Sequence, residues 1–313
     1  MKVYYSIDDF QKLEKAVVTT GTFDGVHHGH RKILAQLNQV AADIEGESVL
    51  LTFFPHPRMV LQPDLDLKLI NSQNEKIELL KSTGIDHLII HPFTTDFSRT
   101  SSLDFVRNIL VNQIGAKKLV IGYDHHFGRN REGSFEHLKE YGPLYGFDVE
   151  EISAQDVEDT TVSSTKIRKA IEEGTIQIAN QYLGYTFPLT GKVVEGEKIG
   201  SKLGFPTANI RVSDNLKIVP ANGVYAVKVS FPAHSEQEPV DGMCNIGIRP
   251  TFGGKFQTIE AHLFDFKADL YGQEICIHFH QQLRKEMKFN GPEHLKEQLR
   301  ADEATARDIL SSL

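Results

Sequence analysis

Short apolar runs alternate with amphipathic segments of helical period from residue 16 to about 172, and then the rhythm changes. Residues 16–23 are β-branched and apolar and predict a strand. The next segment, 29–43, carries Ile33, Leu34, Leu37 and Val40 on one helical face. A second strand is expected over 48–54 and a second helix over 75–83, stopped by Gly84. Strands at 86–90, 118–122 and 147–152 follow, separated by helices near 102–114 and 134–145. Strand–helix alternation at this spacing predicts an α/β fold with a doubly wound parallel sheet, whose ligands bind beyond the carboxyl ends of the strands.

After Gly174 the apolar runs become short, lie close together and are punctuated by glycine, as at 189–194, 224–229, 242–246, 258–264 and 274–280. Strands without intervening helices predict a small antiparallel β-barrel. A helix from 292 to about 310, with Leu295, Leu299, Ala306 and Leu310 on one side, closes the chain. The junction is expected at 173–187, giving domains 1–185 and 186–313, with no internal repeat or low-complexity linker.

The 313 residues are 40% hydrophobic and 24% charged, with 19 Phe and no Trp. That is enough for one or two buried cores and excludes wholesale disorder, collagen and coiled coil. A net charge of −8 gives no basic face for a polynucleotide, though a few local donors suffice for a small anion. Two cysteines, Cys244 and Cys276, lie outside any CxxC spacing and point to a reducing interior. The first 17 residues lack a basic start followed by an apolar run, and no segment reaches the ~18 apolar residues that span a bilayer. A soluble cytoplasmic protein is expected, monomeric or weakly homo-oligomeric, without membrane or nucleic-acid partners.

The strongest chemical signal is Gly21-Thr22-Phe23-Asp24-Gly25-Val26-His27-His28-Gly29-His30, where a strand hands over to a helix. Glycines allow a tight turn, and the helix N-terminus presents free N–H groups. Histidines there donate to phosphate oxygens without a permanent charge. Any one of them alone reads equally as a helix cap or a zinc ligand. His27, Gly29 and His30 together after this strand point to nucleotide phosphates. Three further segments are Leu51-Thr52-Phe53-Phe54-Pro55-His56-Pro57-Arg58, Ile121-Gly122-Tyr123-Asp124-His125-His126-Phe127-Gly128 and Ser163-Ser164-Thr165-Lys166-Ile167-Arg168. Taken singly, the prolines stop a strand and Ser164 and Thr165 cap a helix.

In the second half, residues 191–196 and Gly200-Ser201-Lys202-Leu203-Gly204-Phe205-Pro206-Thr207-Ala208-Asn209 are glycine-punctuated and basic. Such loops wrap polyphosphate with backbone N–H groups, here from around Gly196, Gly200, Lys202 and Gly204. Thr207 and Asn209 offer neutral oxygens suited to Mg²⁺ shared with phosphates. A pair of plain barrel turns accounts for the same residues when they are read alone.

The first four segments together resemble the adenylyltransferase module of bacterial FAD synthetases, within the HxGH nucleotidyltransferase superfamily. Gly-Phe-Pro-Thr-Ala-Asn resembles the hallmark of riboflavin kinases. Gly223-Val224-Tyr225, Asn245-Ile246-Gly247-Ile248-Arg249-Pro250-Thr251-Phe252, Glu260-Ala261-His262-Leu263, Leu270-Tyr271-Gly272 and Arg284-Lys285-Glu286 follow in that family's order. Over roughly 15–310 the chain is thus similar to bifunctional riboflavin kinase/FAD synthetases. The resemblance implies a Rossmann-like nucleotidyltransferase domain (1–185) and a riboflavin kinase barrel (186–313).

The same resemblance implies conversion of riboflavin to FMN and of FMN to FAD, with ATP and Mg²⁺. It gives the first module His27 and His30 as catalytic residues. ATP there would be held by Gly21, Phe23, Asp24, Gly25, Gly29, Ser163, Ser164, Thr165 and Arg168, and FMN by Pro55, His56, Pro57, Arg58 and Asp124. The second module would use Glu260 as base, Gly196, Gly200, Lys202, Gly204, Thr207 and Asn209 for ATP, Thr207 and Asn209 for Mg²⁺, and Arg284 and Glu286 for flavin. Thr22 and His125 depart from the family pattern, which commonly has Asn and Phe there.

Two rival readings are weaker. A tRNA synthetase-like enzyme lacks its Lys-Met-Ser-Lys-Ser-type loop, and a flavin-sensing module with a dead site does not fit the intact polar set. A P-loop fails because Phe256 follows Gly253-Gly254-Lys255. Zinc at His262, His278 and His280 lacks a Cys or carboxylate at ligand spacing.

Overall fold

The computed structural model describes the chain apart from residues 123–124, 153–161, 197–198, 235 and 252–253, and apart from the side chains of 199, 202, 249–251 and 254–256. It divides into two compact units: Met1–Lys68 with Gln73–Ser163, and Leu69–Ser72 with Ser164–Leu313.

The first unit carries β1 (Lys2–Tyr4), β2 (Ala16–Thr20), α1 (His28–Asp43), β3 (Glu47–Phe54), α2 (Pro57–Leu61), α3 (Gln73–Lys81) and β4 (His87–Pro92). A short α4 (Ser102–Asp104) widens into a π-helical stretch (Phe105–Ile114), followed by β5 (Ala116–Gly122), α5 (Phe135–Tyr145) and β6 (Asp148–Ile152). The six strands pair in the order β1-β4-β3-β2-β5-β6, all parallel. Successive strand residues divide between two cores, as the pleat requires. Ala16, Val18, Val49 and Leu51 pack with Phe105, Leu110 and Leu138; Val17 and Leu50 pack with Leu34, Leu37 and Leu80. A sheet covered on both faces needs continuous apolar strands, and β2 is buried along its whole length. The edge strand β1 was not anticipated, because three half-exposed residues carry no period.

The second unit contains α6 (Ser164–Glu172), α7 (Ile176–Leu183), β7 (Phe187–Val194), α8 (Ile199–Leu203), β8 (Ala208–Val212), β9 (Gly223–Ser230), β10 (Val240–Thr251), β11 (Gly254–Leu263), β12 (Glu274–Arg284) and α9 (Pro292–Ser311). The strands close as β10-β11-β8-β7-β12-β9, antiparallel throughout. Ile275, Ile277 and Phe279 of β12 point inward. Outward-facing Val224, Ala226 and Met243 are covered by Ala306 and Leu310 of α9. The sequence changes character near 186, whereas packing divides the chain at Ser163/Ser164. The reason is that α7 belongs to the barrel: Asn180 Nδ2 donates to the Phe279 carbonyl at 2.8 Å and its Oδ1 accepts from Phe187 N–H at 2.8 Å.

Candidate active sites

In the first sheet the strand order reverses at β2, so the crevice outside the carboxyl ends of β2 and β5 is open to a ligand. The turn leaving β2 lies there. Its path is left-handed at Phe23 (φ 47°), Gly25 (φ 91°) and Val26 (φ 37°). A β-branched residue with positive φ is strained and persists only where its surroundings over-determine it. Val26 is fully buried, and its carbonyl accepts from Arg31 Nε at 3.2 Å. A side chain at Gly21 would meet the Phe23 ring at 3.0 Å.

The turn delivers two stacked imidazoles. His27 caps α1, its Nδ1 accepting the His30 N–H at 3.4 Å. The two rings lie 3.6 Å apart at 18°, and Phe23 closes on His30 at 4.7 Å. Burial pushes the His27 pKa down to about 4, aided by His28. Burial, then His27 and Lys76, hold His30 well below its ordinary value. Both rings are therefore neutral at pH 7. With Nδ1 accepting, the His27 proton sits on Nε2, free to donate to an anion.

Two residues under this turn were not anticipated from sequence. Lys76 of α3 is buried, and its Nζ donates to the Thr22 carbonyl and to Thr52 Oγ1 at 2.8 Å. Thr52 Oγ1 in turn donates to the Thr22 carbonyl at 3.2 Å. The available signal was a lysine spaced i, i+4 from Leu80 on the buried face of an amphipathic helix.

Beyond β3, His56 caps α2 with Nδ1 accepting from Arg58 N–H at 3.1 Å, Pro57 opens the helix, and Pro55 and Arg58 are exposed. Thr20 Oγ1 and His125 Nε2 are 3.2 Å apart, joining the end of β2 to the segment after β5. Asp124 lies outside the described residues. Ser164, Thr165 and a buried Arg168 open α6 and belong to the second unit, while Ser163 ends the first.

The barrel gathers its polar residues by register. Glu260 on β11 stands opposite Asn209 on β8 and Asn245 on β10. Thr207 Oγ1 donates to Glu260 Oε2 at 3.3 Å. His262, two residues along the same face, donates from Nδ1 to the Pro206 carbonyl at 2.7 Å, fixing the approach to Thr207. A Cβ at Gly196 would fall 2.1 Å from Asn209 Nδ2, so the loop backbone lies directly on that amide. Gly200 is pressed likewise against the Phe205 carbonyl at 2.4 Å, and Gly204 is left-handed at φ 91°. The Lys202 side chain is outside those described. A cavity of about 340 Å³ lined by Pro206, Thr207, Ala261, Leu270 and Tyr271 opens beside this group.

Arg284 and Glu286 sit differently from each other. Arg284 forks onto Asp302 of α9, with Nε at 3.0 Å and Nη2 at 2.8 Å from the carboxylate. Glu286 accepts from Asn222 Nδ2 at 3.1 Å and lies against Gly247. His278 Nε2 and Ser230 Oγ are 2.8 Å apart. Among the described residues no three His, Cys, Asp or Glu side chains group to hold a metal.

A switch-point turn with neutral histidines, followed by a closed barrel that sets the Glu260 carboxylate beside hydroxyl and amide groups, defines a two-module enzyme of nucleotide chemistry. Comparison with known proteins gives the class its particulars. The FAD synthetase profile matches residues 9–166 and the riboflavin kinase profile residues 183–310. Proteins described as bifunctional riboflavin kinase/FMN adenylyltransferase are 38% identical in Listeria monocytogenes (98% of this chain, 96% of the relative), 37% in Buchnera aphidicola from Schizaphis graminum (96% of each) and 34% in Escherichia coli K12 (95% and 93%). The chain belongs to this family of bifunctional riboflavin kinase/FMN adenylyltransferases, and it is an enzyme with both activities. A solved structure from Streptococcus pneumoniae, described as a macrolide-efflux protein, superimposes with a TM-score of 0.88 at 30% identity over 98% of both chains. The efflux description is of that protein; among the described residues here, no helix is long and apolar enough to cross a membrane.

Proposed function

We propose that residues 186–313 phosphorylate riboflavin and that residues 1–185 adenylylate the FMN so formed, in the cytoplasm. The observation that carries the assignment is the convergence of Asn209 on β8, Glu260 on β11 and Thr207 just ahead of β8, beside a cavity of about 340 Å³. Glu260 accepts the proton of the ribityl 5′-hydroxyl as that oxygen bonds to the γ-phosphorus of ATP and the bond to the β-phosphate oxygen breaks. The Thr207 hydroxyl and Asn209 amide oxygen are hard neutral donors. With one carboxylate between them they fit Mg²⁺ held jointly with phosphates rather than in a cage of protein ligands. Held by Thr207 and Asn209, such an ion would supply charge neutralisation to the phosphates. Glu286, beside Asn222 and Gly247, is assigned to flavin contact. Arg284, oriented by its pair with Asp302, is assigned to flavin contact as well.

In the first module a phosphate oxygen of FMN attacks the α-phosphorus of ATP and pyrophosphate leaves. The nucleophile is already an anion, so no base is required. Neutral His27 and His30 donate to phosphate oxygens as charge builds. Gly21, Phe23, Asp24, Gly25 and Gly29 shape the turn, Ser163, Ser164, Thr165 and Arg168 bind the nucleotide, and residues 55–58 with Asp124 meet FMN.

Glu260→Gln tests the division of labour. It is expected to stop FMN formation from riboflavin while leaving FAD formation from supplied FMN at the wild-type rate. FMN formation at the wild-type rate would remove Glu260 from its role.

A further inference from the structure

The first unit buries a lysine where a polyphosphate would have to be received. An ammonium taken out of water costs several kcal/mol unless acceptors replace its hydration. Lys76 has two, the Thr22 carbonyl and Thr52 Oγ1, and neither is a carboxylate. Both belong to the base of the 21–30 turn: Thr22 immediately precedes left-handed Phe23, and Thr52 itself bonds the same carbonyl from β3. The charged or titratable groups that act on this site are Asp24 of the turn, which favours the ammonium, and His30 of α1, whose protonation Lys76 opposes.

From this arrangement we infer that Lys76 is a positioning residue for adenylyl transfer: its ammonium clamps the Thr22 carbonyl and Thr52 and so presets the strained turn from Phe23 to Val26. Burial lowers the Lys76 pKa to about 8, with Asp24 opposing, so the clamp is charged at neutral pH. The clamp reaches only the backbone of residue 22, so threonine there serves as well as asparagine would. A hydrogen-bonding side chain without charge would hold the carbonyl but would not bias His30.

This inference rests on adenylyl transfer at the His27–His30 turn, and the test separates the two. In the full chain, Lys76→Met, Lys76→Arg, Thr52→Val and His30→Ala are assayed for FAD from FMN and for FMN from riboflavin. Misplacing a reacting group by about 1 Å costs ~10²-fold. Lys76→Met is therefore expected to lose about 10²-fold in kcat for FAD, with KM for ATP moving far less and FMN formation unchanged. Lys76→Arg recovers at least about tenfold of that loss, since it restores the charge. The His30 ring resonance titrates at higher pH in Lys76→Met than in wild type. If Lys76→Met does not fold, Thr52→Val carries the test, with FAD formation about tenfold down beside an intact kinase. FAD formation at the wild-type rate in Lys76→Met or Thr52→Val overturns the role of Lys76. If wild type and His30→Ala make FAD equally well, it is the underlying site assignment that fails.

Discussion

The imidazole of His30 lies sandwiched between the His27 ring at 3.6 Å and the Phe23 ring at 4.7 Å, while its backbone N–H is held by His27 Nδ1. The stack keeps water from the ring faces and leaves both imidazoles neutral. A neutral donor beside developing phosphate charge gains strength in such a site without the desolvation that a cation would suffer.

Removing one preorganised donor of this kind typically costs about 10²–10³ in rate. His30→Ala should lower FAD formation by that factor and leave FMN formation from riboflavin intact. Steady-state rates of both reactions on one preparation check this; equal losses in the two would point to unfolding rather than chemistry.

The buried histidines also set a pH dependence of stability. His27 titrates near 4 when folded and near the ordinary imidazole value of 6.5 when unfolded. Between those values the unfolded chain binds a proton that the folded chain excludes. The stabilisation is thus complete above pH 6.5 and is lost as the pH falls toward 4. His280 of the barrel, lowered to about 4 chiefly by burial, has the same sign, so comparison with a His27→Gln variant is needed. Thermal melting from pH 7.5 to 4.5 should fall less steeply in His27→Gln; parallel curves would contradict the buried neutral state.

The Arg284–Asp302 pair joins β12 to α9 with side chains 16% and 4% exposed. Removing one partner of a buried pair strands the other and costs about 3–5 kcal/mol. Asp302→Ala is accordingly expected to lower the melting temperature of the barrel and weaken riboflavin kinase activity together. Loss of activity at unchanged stability would make Asp302 a participant in the site itself.

Much of this was legible in the chain because periodicity reports burial. Val17 and Leu50 announce a strand covered on both faces, and Leu34, Leu37 and Val40 announce the helix that covers one of them. The turn at 21–30 was readable because glycines and histidines at a strand–helix junction serve few purposes. β8 was hidden, since Pro206 and the polar Thr207 and Asn209 make its beginning look like a loop. Lys76 was hidden because a charged residue on an amphipathic helix is ordinarily solvated, and only packing reveals that it faces inward. The alternating His262, His278 and His280 lacked a Cys or carboxylate at ligand spacing, and their actual partners were not legible. In the fold His278 meets Ser230 and His262 meets the Pro206 carbonyl. The Arg284–Asp302 pair was hidden because the two residues are 18 positions apart and no local pattern links them.

The most direct test of the central claim is a time course of flavins. Purified protein is incubated with riboflavin, ATP and Mg²⁺, and products are separated by chromatography. FMN should appear first and then give way to FAD, with pyrophosphate released in step with FAD. FMN that accumulates without conversion, or flavin retained with no product at all, would contradict a chain that performs both reactions in sequence.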